Sequence, residues 1–93
     1  MEKFAYTKFP GEKLDYIVDW TTKNWLETGE TIVTSTWSVE TGVTDSDESN
    51  TTTTATIFIA GGTLGETYIL TNTITTSNAV SRTGVREVHL TII

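Results

Sequence analysis

The amino-acid sequence predicts an all-β fold, because of its threonine content, its apolar periodicity and the spacing of its turns. Threonine occupies 22 of the 93 positions, and its branched Cβ favours pleated strands over helices. Apolar residues alternate with polar residues in several short segments, whereas no segment keeps a helical apolar period for long. Turn residues recur at intervals of roughly eight to twelve positions, a spacing typical of sandwiches and barrels.

Five segments are predicted as main strands because their apolar residues either alternate or run together. They are residues 14–20, 31–39, 55–60, 66–76 and 85–93. The third of them is apolar on both faces, so we expect it to be central in a sheet or covered on both sides. In the second, the alternation predicts that Val33, Trp37 and Val39 share one face.

The remaining segments are predicted to be less regular. Residues 1–13 form an N-terminal arm or a short edge strand, and residues 14–93 form a single β-sandwich domain. Val43-Thr44 begins a short further strand, and the polar residues 45–50 form an exposed acidic loop. Trp25-Leu26 is expected to fold back as a plug over the edge of the core.

Six to seven short antiparallel strands indicate a β-sandwich of immunoglobulin-like or fibronectin-III-like type. The turn before Thr67-Tyr68 strengthens this interpretation, since such sandwiches place a tyrosine at a corner with its hydroxyl bonded to backbone upstream. We therefore predict a structural role for Tyr68. Trp20 and Trp37 are also assigned to the structure, because the alternation places them on inward faces.

Composition argues against several classes of partner. The formal net charge is −6 and the pI is about 4.5. The six basic residues are scattered, whereas phosphate backbones require clustered Lys or Arg, so no nucleic-acid partner is predicted. No secretory signal and no apolar run of about 18 residues is present, so no membrane partner is predicted either. The absence of cysteine rules out disulfides and indicates a reducing compartment, such as a host cytoplasm.

No constellation of catalytic or metal-binding residues is found, so neither an enzyme nor a cofactor is predicted. His89 is the only histidine and points outward without a nucleophile to serve. Asp45, Asp47 and Ser49 resemble the start of an EF-hand, but its essential glycine and glutamate positions hold Asn50 and Thr56. A looser calcium site at residues 45–50, shared with another loop or subunit, remains open.

Aromatic residues in irregular segments are the candidates for contact with partners. Phe4, Tyr6, Phe9 and Trp25 lie outside the regular alternation. Aromatic side chains are frequent anchors of protein interfaces, and they also stack on sugars. These four residues are therefore predicted interface residues.

Short motifs along almost the whole chain resemble a family of small tailed-phage structural proteins described as fiber–tail adaptors. These motifs are Lys8-Phe9-Pro10, Leu14-Asp15-Tyr16 with Asp19-Trp20, Trp25-Leu26, Gly29-Glu30-Thr31-Ile32, Ser35-Thr36-Trp37, Ala55-Thr56-Ile57, Gly61-Gly62-Thr63, Gly65 with Tyr68, and Thr71-Asn72 with Ile74-Thr75-Thr76. The family usually has an acid where Phe9 stands, and its usual motif after Thr76 is replaced here. The resemblance implies a virion component without catalytic residues.

The expected function is therefore that of a phage virion structural protein, an adaptor that docks onto tail, fiber, connector or head subunits after assembly in the host cytoplasm. Two alternatives stay open at this point: a head decoration (cement) protein, and a carbohydrate-binding module on the virion surface. The sequence also leaves open whether several copies associate in the particle.

Overall fold

The computed structural model describes residues 3–22 and 25–93, with side chains from Ala5 onward. These residues form seven strands: β1 (Lys3–Lys8), β2 (Lys13–Asp19), β3 (Ile32–Val39), β4 (Val43–Asn50), β5 (Thr54–Gly61), β6 (Thr67–Thr76) and β7 (Thr83–Ile92). The predicted all-β class is confirmed, and each of the five main predicted strands corresponds to an observed strand.

The strands form two sheets that pack face to face. The wider sheet has the order β1-β7-β6-β3, and the narrower sheet has the order β2-β5-β4. All neighbours are antiparallel except β1 and β7, which run parallel. The prediction that all strands pair antiparallel is therefore wrong. The parallel pair arises because β1 and β2, although joined by a short turn, belong to different sheets, so that β1 pairs with β7 instead of with β2.

The core fills the space between the sheets with alternate side chains from both. Its buried apolar members are Tyr16, Val18, Trp20, Ile32, Ala55, Ile57, Ile59, Tyr68, Leu70, Ile74, Val88, Leu90 and Ile92. The predicted central position of residues 55–60 is confirmed, since β5 lies between β2 and β4. Its second face is covered only in part, because Phe58 is half-buried.

The predicted inward position of Val33 is wrong. Val33 is 60% exposed, whereas Ile32 is only 6% exposed. A register shift between Ile32 and Thr34 inserts one extra residue opposite β6. Such a bulge reverses the alternation on one side of it. Ile32 therefore faces the core together with the partly buried Trp37 and Val39.

The predicted acidic loop at residues 45–50 is also wrong, because these residues belong to β4, an edge strand paired with β5. The backbone of β5 requires hydrogen-bonding partners on both sides. A polar segment can supply them while its side chains remain in water. The ladder is interrupted between Ser46 and Ser49, where Asp47 adopts a φ of 52°.

Candidate docking surface

The two sides of the sandwich, where the sheets end, differ in how their edges are protected. On one side the edge strand β4 carries Asp45, Asp47 and Glu48 and a bulge. Charges and bulges of this kind discourage pairing with a further strand. The β4 edge is therefore poorly suited to pairing with a further strand.

The opposite side, where β1 and β2 are the edges, holds an open apolar pocket of about 390 Å³. Its lining residues are Tyr6, Thr7, Leu14, Asp15, Tyr16 and Ile17, and we call this pocket the edge groove. Tyr6, Leu14 and Ile17 are 39%, 37% and 46% exposed. Adjacent apolar side chains left in water on an otherwise polar surface are typical of interaction sites.

Free backbone groups line the same groove. The Trp20 N–H donates to the Thr53 carbonyl at 2.9 Å, which directs the backbone groups of Trp20 toward β5. Successive residues of an antiparallel strand direct their backbone groups to opposite sides. The N–H and C=O groups of Asp15 and Ile17 therefore point away from β5, toward the open edge.

The same alternation applies to β1. The Lys8 carbonyl accepts a hydrogen bond from the Ile93 N–H at 2.9 Å, so the backbone groups of Lys8 face β7. Those of Thr7, one residue earlier, face the groove. The edge groove thus combines apolar side chains with two unpaired strand edges.

Tyr16 contributes a buried hydroxyl that has no hydrogen-bonding partner among the described residues. Its side chain packs against Tyr6, with ring centroids 5.3 Å apart and planes tilted by 59°. Burial, followed by the charges of Glu12 and Asp15, raises the pKa of Tyr16 to about 12. The hydroxyl is therefore protonated at neutral pH.

Lys8 fixes the turn that joins β1 to β2. Although charged, it is only 1% exposed. Its Nζ donates to the carbonyls of Phe9 and Glu12, each at 2.9 Å, and to that of Gly61 at the end of β5. These bonds tie the turn to the narrower sheet and so set β1 relative to β2. Phe9 lies on this turn and is 59% exposed.

Trp25 lies away from the groove, in a half-buried cluster beside Trp20. The two rings meet nearly edge to face, 5.0 Å apart. The Arg82 guanidinium lies 4.3 Å from the centroid of the Trp25 ring, and it also donates to the Trp25 carbonyl. The Trp25 ring is therefore in contact with other residues of the same chain. This agrees with the prediction that Trp25-Leu26 folds back over the edge of the core.

The same cluster contains a buried ion pair. Glu30 accepts two hydrogen bonds from Arg82, one of them from Nε at 2.9 Å. The Glu30 side chain is fully buried and Arg82 is partly exposed. The hydrogen bonds from Arg82 are the main cause that lowers the pKa of Glu30 to about 2. Glu30 is therefore ionised throughout the physiological range.

Of the four predicted interface residues, the structure places Tyr6 in the edge groove, Phe9 on the adjoining turn and Trp25 in a separate cluster. The side chain of Phe4 lies outside the described residues. Sequence reasoning missed Leu14, Tyr16 and Ile17 as groove residues. One signal was present, because Ile17 is an apolar residue between Asp15 and Asp19 on the outward face of its strand.

No catalytic or metal-binding arrangement is formed by the residues that the structure describes. His89 lies beside Glu87, with Nε2 and Oε1 3.0 Å apart, on the outer face of β7. Within residues 3–22 and 25–93, no three acidic or histidine side chains come close enough to hold a metal ion. No helix in this part of the chain is long and apolar enough to cross a membrane.

Residues 8–91 match the family described as podophage GP4 fiber-tail adaptor protein gp77. The match spans most of the chain and includes β2 to β6 and all of β7 except its last residue. No curated protein matches the sequence significantly.

Proposed function

Because the chain belongs to the podophage GP4 fiber-tail adaptor family, we propose that it docks onto its virion partners through the edge groove. The protein is a structural adaptor of the podophage virion and not an enzyme. An adaptor between fiber and tail binds other virion proteins, so its surface must provide a site for them.

The observation that carries the proposal is the contrast between the two sides of the sandwich. The β4 edge is acidic and bulged. The β1 and β2 edges enclose an apolar pocket with exposed Tyr6, Leu14 and Ile17. An interface gains its stability from apolar and aromatic anchors that lose their water. Phe9, on the adjoining turn, extends this surface, and β1 serves as the N-terminal arm.

The shape of the groove favours a protein partner over a glycan. Sugar-binding modules present flat aromatic platforms, whereas the rings of Tyr6 and Tyr16 are tilted by 59°. Tyr16 is also buried, with 4% of its surface exposed. A partner that inserts side chains fits such a groove better than a sugar ring that needs to stack on a plane.

We also propose that the fold is related to immunoglobulin-like domains, and we propose the partners of the protein and the place of its assembly. An immunoglobulin-like relationship is supported by strand order, because such domains group strands two, five and four in one sheet and three, six and seven in the other. The partners are tail or fiber proteins, bound without nucleic acid or membrane. Assembly takes place in the host cytoplasm.

The proposal is tested by placing a charge in the groove. Ile17→Glu introduces a carboxylate among apolar contacts, and Val80→Glu is the matched control because Val80 is 84% exposed on the loop between β6 and β7. Binding to purified tail and fiber proteins of the same phage is measured by co-sedimentation. We expect the Ile17 variant to bind at least about tenfold more weakly, with the control unchanged. Normal binding by Ile17→Glu would contradict the proposal.

A further inference from the structure

We infer that the edge groove receives an extended segment of a virion partner, which pairs with the free edge of β2 as a fourth strand of the narrower sheet and carries basic residues opposite Asp15 and Asp19. This inference rests on the proposed function and specifies the chemistry of the partner.

The groove lies where the narrower sheet ends. The wider sheet has four strands and the narrower sheet has three. The wider sheet ends at β1, and the narrower sheet ends at β2, whose Tyr16 meets Tyr6 of β1. A strand added to β2 would bring the two sheets to equal width and would cover the exposed side of Tyr6.

The backbone of β2 is ready to accept such a strand. The N–H and C=O groups of Asp15 and Ile17 point to the open edge, as the Trp20–Thr53 hydrogen bond indicates. A strand that adds to an exposed edge gains its affinity from backbone groups of this kind and its specificity from alternate side chains. The β4 edge lacks this regularity because of its bulge.

The outer face of β2 determines which side chains the added strand needs. Asp15, Ile17 and Asp19 alternate on this face, and their neighbours on β5 are Phe58, Thr56 and Thr54. None of these neighbours is basic. Among the described side chains, Asp15 makes no ion pair, and Asp19 is hydrogen-bonded to Thr21.

Opposite charges directly across a strand pair are favourable, whereas like charges are not. The segment that fits this face therefore has a basic residue, then an apolar residue two positions later, then a second basic residue. The pattern is symmetrical, so it holds for either direction of the added strand.

The inward side of the groove adds a second requirement. Leu14 and Tyr6 present exposed apolar surface there. The inward side chains of the added strand are therefore apolar.

The test separates backbone pairing from side-chain contact by comparing Ile17→Pro with Ile17→Ala. Both variants remove the isoleucine side chain, but only proline also removes the backbone N–H that points to the open edge. Because this N–H makes no hydrogen bond to β5, the proline breaks none of the existing pairing. Binding to purified tail and fiber proteins is measured after circular dichroism has shown that both variants are folded. We expect Ile17→Pro to bind at least about tenfold more weakly than Ile17→Ala.

Hydrogen exchange on the unmodified chain provides a second measurement that requires no variant. The amide hydrogens of Asp15 and Ile17 should exchange quickly in the free chain and should be protected at least about a hundredfold in the complex. Exchange at both amides that is unchanged in the complex would overturn the inference.

Two results distinguish the inference from the proposed function. If Ile17→Glu loses binding while Ile17→Pro and Ile17→Ala bind equally, the groove is the dock but strand pairing is wrong. If Ile17→Glu binds normally, the proposed docking function and the strand-pairing inference are both wrong. The basic pattern is tested by Asp15→Lys, which should weaken binding, against Asp45→Lys on β4, which should leave it unchanged.

Discussion

The indole nitrogen of Trp20 donates a hydrogen bond to the side-chain oxygen of Asn72 at 2.9 Å, and this bond joins the two sheets across the core. Trp20 follows β2 in the narrower sheet, and Asn72 lies on β6 in the wider sheet. The Asn72 amide donates in turn to the Ser35 hydroxyl and the Thr36 carbonyl, each at 3.0 Å. A buried polar network with its groups paired makes the core specific for one arrangement.

Asn72→Ala should lower the free energy of unfolding by about 2 to 4 kcal/mol. The change leaves the Trp20 N–H buried without an acceptor and opens a cavity beside it. Chemical denaturation with urea measures the effect. Thr73→Ala, on the opposite face of the same strand, is the control and should cost less than about 1 kcal/mol. An equal decrease in the free energy of unfolding in the two variants would show that the hydrogen bond between Trp20 and Asn72 does not contribute to stability.

Tyr68→Phe should lower the free energy of unfolding by about 1 kcal/mol. The Tyr68 hydroxyl accepts a hydrogen bond from the Thr63 N–H at 3.0 Å and so fixes the connection between β5 and β6. Phenylalanine keeps the ring packing and removes only this bond. Thermal unfolding measures the change, and an unaltered melting temperature would contradict the predicted corner role of this tyrosine.

Tyr16→Phe should stabilise the isolated protein, in contrast to Tyr68→Phe. It should raise the free energy of unfolding by about 1 kcal/mol. Its hydroxyl is buried without a partner among the described residues, so removing it removes an unfavourable burial. A variant that is less stable than the wild type would indicate an internal partner for this hydroxyl.

Much of the fold follows from local alternation, and its failures have identifiable physical causes. The faces of β6 and β7 follow from strict alternation, and Leu70 and Leu90 are fully buried as expected. Val33 was misplaced because a bulge is set by pairing with β6 and leaves no mark in the local pattern. The alternation predicts a strand at Val43-Thr44 but not its extension over residues 45–50, because these polar residues form a strand only through their pairing with β5.

The candidate site was less predictable, because it depends on which strands become edges. The alternation of residues 14–20 places Ile17 on the face opposite Tyr16 and Trp20, yet its exposure beside Tyr6 arises only when β1 and β2 end separate sheets. Lys8 illustrates the same limit. A lysine is expected in water, and its burial beneath four backbone carbonyls requires the turn, β5 and β1 to meet.

The stability of the protein should decrease in acid as Glu30 becomes protonated. Its folded-state pKa of about 2 lies below the ordinary value of 4.5. A lowered pKa contributes stability above pH 4.5, and this contribution is lost as the pH falls from about 4.5 toward 2. Melting temperatures across this range should therefore fall more steeply for the wild type than for Glu30→Gln. Parallel curves for the two proteins would show that the Arg82 pair does not govern the acid response.

Gly84→Ala should lower the free energy of unfolding by about 1 to 3 kcal/mol because the position has no room for a methyl group. A Cβ there would lie 2.6 Å from Trp20 and 2.8 Å from Trp25. The two indoles must then separate, which should alter tryptophan fluorescence as well as stability. Gly11→Ala is the matched control, since no atom lies within 4 Å of its added Cβ. If Gly84→Ala changes the fluorescence but leaves the free energy of unfolding unchanged, Trp25 is able to move away freely, and its assignment as a fixed plug against Trp20 is wrong.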